Sequence, residues 1–163
     1  DVLAEVRKVR SRLRLFIAGL VLEQEEYGRI EERLRHLPWV TYLGQVERED
    51  VPSLLKSADI VLNTSASESE ANALLEAFYY RKTVIARRIP GNASLLTDQT
   101  GFLFSNRREF YEKAIYVIDH PAALEGVRHE ADRLMRTTFN FSGEKAGYAA
   151  VYKALVGPWG KKD

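Results

Sequence analysis

The stretch DIVLNTSASESEANALLEAFYYRKTVIAR, residues 59–87, decides the fold. It opens with an apolar run (59–65) typical of a buried strand and continues with a helical segment (72–81). A second apolar run (83–87) closes it. A strand, a helix and a strand joined by short links indicate parallel strands with a crossover helix between them.

The same alternation extends over the rest of the chain. Further strands are predicted at 13–19, 39–46 and 101–104, and a turn at 90–92. Further helices are predicted at 23–37, 49–58 (with Pro52 in its first turn), 107–120, 121–139 and 142–155 (with Ser142 as N-cap). The pattern predicts an α/β fold, a Rossmann-like parallel sheet with helices on both faces and a helical carboxyl-terminal tail.

Composition excludes several kinds of protein. The 163 residues fit one domain, and 45% hydrophobic with 29% charged residues is ordinary for a globular chain. A net charge of +1 argues against a nucleic-acid partner. The absence of cysteine excludes thiolate chemistry, the three histidines lack ligand spacing, and we expect no metal site. With no apolar run of membrane-spanning length and no signal peptide, the sequence predicts a cytoplasmic location.

Ligands of such sheets bind beyond the carboxyl ends of the strands. This rule selects three loops: after Gly19, around 44–46, and at 64–72. The third loop leads into a helix N-terminus, where unpaired N–H groups and the helix dipole favour phosphate. The small residues Ser69, Ala71 and Ala73 would admit a ligand to the backbone. A capping role competes with this interpretation, with Ser67 or Ser69 as N-cap and Glu70 against the dipole.

Glu68 and Glu76 stand eight residues apart in ESEANALLEA, residues 68–77. This segment resembles the motif E-G-x-x-N-A-x-L-E-A of the carboxyl-terminal domain of GT-B glycosyltransferases of family 4, the glycosyl transferases group 1. The resemblance is nearest to the animal glycosyltransferase 1 domain-containing proteins. It extends to three other segments in the family's order, so that it covers most of residues 13–120: VTYLGQV (40–46), VPSLLKSADIVLNTS (51–65) and TVIARRIPGNASLLTDQTGFLFSN (83–106).

The resemblance implies roles for the two carboxylates. Glu68 would be the catalytic residue, contacting hydroxyls of the donor sugar near the reacting carbon, and Glu76 would bind the ribose of the nucleotide. A carboxylate suits both tasks because it accepts two hydroxyl hydrogen bonds. The implied reaction is transfer from a nucleoside diphosphate sugar with retention at the anomeric carbon, without a cofactor.

Other residues would form the rest of the donor site. The resemblance implies that backbone N–H groups of Ala71, Asn72 and Ala73, beside Ser69, meet the diphosphate. The base would rest against Gly44, Gln45 and Val46. An amino-terminal domain would hold the acceptor, and a basic segment would clamp the diphosphate. We expect both to lie outside this sequence, and we expect the sequence to be a piece of a longer protein.

The sequence departs from the family pattern at three positions. Ser69 and Arg81 stand where glycine is usual, and Thr83 stands where proline is usual. These departures leave open a degenerate, non-catalytic module that serves as a scaffold or interaction domain. A sugar-nucleotide epimerase of the same fold is a third, less favoured interpretation.

The last helix carries an apolar face formed by Tyr148, Val151, Tyr152 and Leu155. Core packing is one interpretation of this face. The other is that it is bare here and mediates self-association.

Overall fold

The computed structural model describes residues 2–21, 24–68, 71–139 and 141–156. The strands are β1 (Leu15–Ala18), β2 (Val40–Gly44), β3 (Ile60–Asn63), β4 (Thr83–Arg87) and β5 (Phe102–Phe104). The helices are α1 (Val2–Val9), α2 (Gln24–Arg35), α3 (Val51–Ser57), α4 (Asn72–Tyr79), α5 (Pro90–Ala93), α6 (Arg107–Asp119), α7 (Glu125–Thr138) and α8 (Phe141–Val156).

All strand pairs in the described residues are parallel, as predicted. The strands form a two-stranded sheet, β1–β2, and a three-stranded sheet in the order β3–β4–β5. Asn63 pairs with Ala86 at the end of the β3–β4 ladder, so β3 and β4 end at the same level. The carboxyl ends of β3 and β4 therefore lie side by side.

Helices cover both faces of the three-stranded sheet. Strand β4 contributes to both layers, because consecutive residues of a strand point to opposite sides. Val84 and Ala86 pack in one cluster with Leu74 and Phe78 of α4. Ile85 packs in the other, with Val6 of α1 and residues of α6. The sequence prediction of strands buried on both sides is confirmed for β4, whose residues 83–86 are all buried.

The two-stranded sheet is more exposed than the sequence predicted. Its strands alternate between half-buried and exposed residues. Phe16 is 52% exposed and Leu43 is 40% exposed. The predicted helix cover on both faces of the sheet is therefore incomplete over β1 and β2.

Most predicted elements are confirmed, but several local details are wrong. The turn predicted at 90–92 is the short helix α5, which Pro90 opens with its preset φ. The helix predicted at 121–139 begins only at Glu125, because residues 121–124 form turns that bury Leu124. Ser142 is not an N-cap, since α8 already begins at Phe141. Pro52 does lie in the first turn of α3.

The carboxyl-terminal helix α8 contributes nothing to the core that the structure describes. Every side chain of residues 142–156 is exposed. The four apolar residues of its predicted face are between 57% and 73% exposed. Core packing is therefore the wrong interpretation of this face. None of the described helices, α8 included, is long and apolar enough to cross a membrane.

Candidate functional site

Glu68 lies in the loop after β3 and is half-buried. One of its carboxylate oxygens, Oε1, accepts hydrogen bonds from the hydroxyl of Ser65 at 2.7 Å and the Nδ2 of Asn63 at 3.4 Å. The other oxygen has no partner within the part of the chain that the structure describes. The carboxylate is thus held through one oxygen and available through the other.

Two buried asparagines lie behind Glu68, and sequence reasoning did not assign either to the site. Asn63 ends β3 and is 8% exposed, while Asn92 in α5 is fully buried. The Nδ2 of Asn92 donates to Asn63 Oδ1 at 3.2 Å and to the carbonyl of Arg87 at 2.9 Å. Asn63 stands in an apolar run, and a polar residue in such a run is a signal that could have pointed to Asn63, though not to its bond with Asn92.

Gly91 brings the backbone of α5 against the backbone of Glu68. A Cβ atom added to Gly91 would lie 2.4 Å from the carbonyl oxygen of Glu68. That distance is far below van der Waals contact, so only glycine fits here without moving the loop. The glycine and the neighbouring Asn92 thus contact the Glu68 loop from the same short helix.

Helix α4 begins at Asn72, as predicted, and its N-cap position is Ala71. No side chain of a described residue caps this terminus, so the interpretation of Ser67 as N-cap is wrong. Ala71 is 2% exposed and belongs to the core, while Asn72 and Ala73 are exposed. The first N–H groups of a helix have no intrahelical acceptor, and here they lie beside two exposed residues. Ser69 and Glu70 lie outside the described residues.

Glu76 lies one helical turn beyond Asn72, on the same side of α4. Its side chain is exposed, and it makes no hydrogen bond or ion pair with the described residues. The helix therefore presents a carboxylate to solvent in its middle, one turn from its first residue. The binding of ribose by Glu76 stays a prediction.

The loops after β1 and β2 are joined by hydrogen bonds. The N–H of Gly19 donates to the carbonyl of Gly44 at 2.8 Å, and the hydroxyl of Tyr42 donates to the carbonyl of Gly19 at 2.6 Å. Gly44 has a φ of 70°, which glycine adopts readily. The chain can therefore turn sharply out of β2 into Gln45 and Val46.

Gln45 and Val46 line an open groove of about 460 Å³ between β2 and α3. The groove is also lined by Leu43, Leu54 and polar residues of the α3 region. Neither Glu68 nor Glu76 lines it. The predicted residues thus fall into two groups, one around Glu68 and α4 and one around this groove.

The resolved pKa shifts belong to surface ion pairs outside these two groups. A hydrogen bond from Arg128, with the charge of Arg81, lowers the pKa of Glu125 below its usual range. The described side chains include no cluster of three His, Cys, Asp or Glu placed to hold a metal ion.

Comparison with known proteins places the chain in a class. Residues 1–120 match the family model described as glycosyl transferases group 1. The chain belongs to this family. Its fold is that of the carboxyl-terminal half of a GT-B glycosyltransferase, as the resemblance implied.

Individual relatives agree with this assignment. The chain is 24% identical over 152 residues to the glycosyltransferase 1 domain-containing protein 1 of Xenopus tropicalis, covering 93% of this chain and 44% of that protein. It is 26% identical over 169 residues to the trehalose synthase of Pyrococcus horikoshii, covering 96% of this chain and 41% of that protein. The chain therefore spans about two fifths of the length of these relatives.

A solved structure shares the fold. The crystal structure of Anabaena Alr3699/HepE in complex with UDP and glucose superposes with a TM-score of 0.79 at 21% identity. The match covers 86% of this chain and 40% of that protein. Identity at this level shows a common fold and leaves the ligand of this chain to be argued from its own site.

Proposed function

We propose that this chain is the donor-binding domain of a retaining glycosyltransferase that takes its sugar from a nucleoside diphosphate sugar. The observation that carries the proposal is the carboxylate of Glu68 at the carboxyl end of β3. Ser65 and Asn63 hold one of its oxygens, and the other is available. Ligands of parallel sheets bind at this edge.

The neighbouring helix supports a diphosphate in the same place. Among the described residues no side chain caps the amino-terminal end of α4, and the first N–H groups and the dipole of a helix favour an anion at such an end. During transfer, negative charge develops on the diphosphate leaving group, and preorganised donors stabilise such charge. The group-1 family membership and the UDP and glucose bound to the Anabaena relative agree with this role.

The remaining contacts of the proposal are those that the family resemblance implies. Glu76, one turn further along α4, would accept hydrogen bonds from the ribose hydroxyls. The base would rest against Gly44, Gln45 and Val46 at the groove beside α3. In this proposal Glu68 and Glu76 do not act as a glycosidase pair, because Glu76 is occupied by ribose.

The proposal leaves the acceptor to a second domain in the same polypeptide. The relatives are more than twice as long as this chain, which leaves room for such a domain. We assign no cofactor or metal to the donor site. Addition of a chelator should therefore leave nucleotide affinity unchanged.

The test is the binding of UDP, GDP and ADP and their sugars, measured by thermal shift and calorimetry. A ligand that binds only the folded chain raises its melting temperature. Glu76→Ala should weaken the preferred nucleotide about tenfold to a hundredfold, because hydrogen bonds to a charged group contribute about 1.5–3 kcal/mol. Glu144→Ala, which removes an exposed glutamate of α8, is the matched control.

Two results would contradict the proposal. One is a folded parent chain that binds none of the nucleotides at millimolar concentration. The other is equal affinity in the parent and Glu76→Ala. Either result would favour the non-catalytic module that the departures at Ser69, Arg81 and Thr83 left open. On a longer chain that contains the second domain, the anomeric configuration of the product tests retention.

A further inference from the structure

The buried pair of Asn63 and Asn92, here called the asparagine pair, connects three elements. Asn63 belongs to β3, Asn92 belongs to α5, and Arg87, whose carbonyl Asn92 binds, ends β4. Burying amide groups costs free energy unless they are hydrogen-bonded. Specific hydrogen bonds, and not apolar packing alone, therefore hold α5 against the ends of β3 and β4.

The direction of both amides is determined by their neighbours. The backbone N–H of Ser65 donates to Asn63 Oδ1 at 3.1 Å, so this oxygen cannot exchange places with the nitrogen. Asn63 must then turn its Nδ2 towards Glu68. Asn92 has two acceptors around its Nδ2, the Oδ1 of Asn63 and the carbonyl of Arg87. Rotating either amide by half a turn would place a donor against a donor or an acceptor against an acceptor.

The pair is not fully satisfied. Asn92 Oδ1 is buried and has no hydrogen-bond partner among the residues that the structure describes. An unpaired buried acceptor costs stability, so a pair that served stability alone would be better replaced by apolar residues. What the pair does provide is a fixed donor towards the Oε1 of Glu68.

We propose that Asn92, through Asn63, and Ser65 are positioning residues for Glu68. This assignment rests on the proposed function, in which Glu68 contacts the donor sugar. The pair and the Ser65 hydroxyl fix Oε1, and the carboxylate then presents its other oxygen to the sugar hydroxyls. Gly91 completes the arrangement, because it lets α5 pack directly on the backbone of Glu68.

The assignment predicts a loss of sugar recognition without a loss of nucleotide recognition. The quantity to measure is the sugar preference, the Kd of the bare nucleotide divided by the Kd of its sugar. Calorimetry with UDP and UDP-glucose, GDP and GDP-mannose, and ADP and ADP-glucose first identifies the pair that the parent chain binds most tightly. Asn92→Ala should then lower the sugar preference about tenfold, because the bond it controls is to a charged group.

Controls separate positioning from damage to the fold. Ser94→Ala removes the hydroxyl of the residue that follows α5, which donates to the carbonyl of Gly91, and should keep the parent's sugar preference. Ser65→Ala removes a half-buried hydroxyl with little risk to folding and should lower the sugar preference as Asn92→Ala does. In a Glu68→Ala background, Asn92→Ala should not lower the sugar preference further. The effects of two substitutions are not additive when both act through the same group.

The outcomes distinguish this assignment from the proposed function. Normal nucleotide binding with an unchanged sugar preference in Asn92→Ala and Ser65→Ala would overturn the assignment alone. Equal weakening of bare and sugar nucleotides, or an additive loss in the Glu68→Ala background, would also overturn it. A parent chain that binds no nucleotide would overturn the proposed function and this assignment together.

Discussion

Arg81 has a φ of 54°, a backbone conformation that residues with side chains rarely adopt. It follows Tyr80, the C-cap of α4. The N–H of Arg81 donates to the carbonyl of Phe78 and the N–H of Lys82 to that of Ala77, each at 2.9 Å. These two bonds form a Schellman motif, which usually has glycine at this position. The departure from the family's glycine has therefore kept the glycine geometry.

Arg81→Gly should consequently be more stable than Arg81→Ala. Both variants lose the ion pair of Arg81 with Glu125, which is exposed and contributes little. Only alanine retains the steric cost of the left-handed conformation, so we expect the two free energies of unfolding to differ by about 1 kcal/mol. Urea unfolding of both variants measures the difference. An alanine variant as stable as the glycine variant would contradict this account of the cap.

Among the elements, α1 and α6 pack against the same face of the three-stranded sheet. Val6 of α1 is fully buried in a cluster with Phe110, Ala114 and Val117 of α6. An ion pair joins the ends of the two helices, where Arg10 Nε donates to Asp119 at 2.6 Å. The hydrogen bond from Arg10 holds the pKa of Asp119 below its usual value of 3.8.

This ion pair predicts a dependence of stability on pH. A carboxylate whose pKa is lower in the folded state stabilises the fold above its unfolded pKa, and this contribution is lost as the pH falls through the folded pKa. Asp119→Asn should therefore be less stable than the parent at pH 7, and the difference should narrow as the pH falls below 3.8. Urea midpoints measured across this range test it. Asp98→Asn, at an exposed loop residue, is the control, and a gap that stays constant with pH would contradict the prediction.

The elements also show what local sequence could predict. Strand β4 was predicted with its observed bounds, 83–87, because a short apolar run between Lys82 and Arg88 leaves little choice. The start of α7 was misplaced, because Pro121 is compatible with both a first helical turn and a preceding turn. The roles of Asn63 and Asn92 could not be predicted from spacing, because their bond joins residues 29 positions apart. Glu68 was predicted from a motif, whereas the residues that hydrogen-bond to it became apparent only in the fold.

On the scale of the whole molecule, buried and exposed apolar surface is unevenly distributed. The three-stranded sheet with α4, α6 and α7 contains the core. The β1–β2 sheet is half-exposed, and α8 is exposed along its described length. A stripe of Tyr148, Val151, Tyr152 and Leu155 on a helix is unusual as free surface, because apolar patches of this kind mark interaction sites.

We expect this stripe to join two copies of the chain. Sedimentation velocity over a range of concentrations should show a monomer–dimer equilibrium. Burying apolar surface between two copies stabilises the dimer by about 25 cal/mol per Å² of surface removed from water. Tyr152→Glu would place a charge in the stripe and should shift the equilibrium towards monomer. Ala150→Glu lies on the opposite side of the helix and should leave it unchanged. A monomer at every concentration would contradict self-association and would leave the stripe for a different domain to cover. An equal effect of both substitutions on the equilibrium would mean that charge, rather than the apolar stripe, controls association.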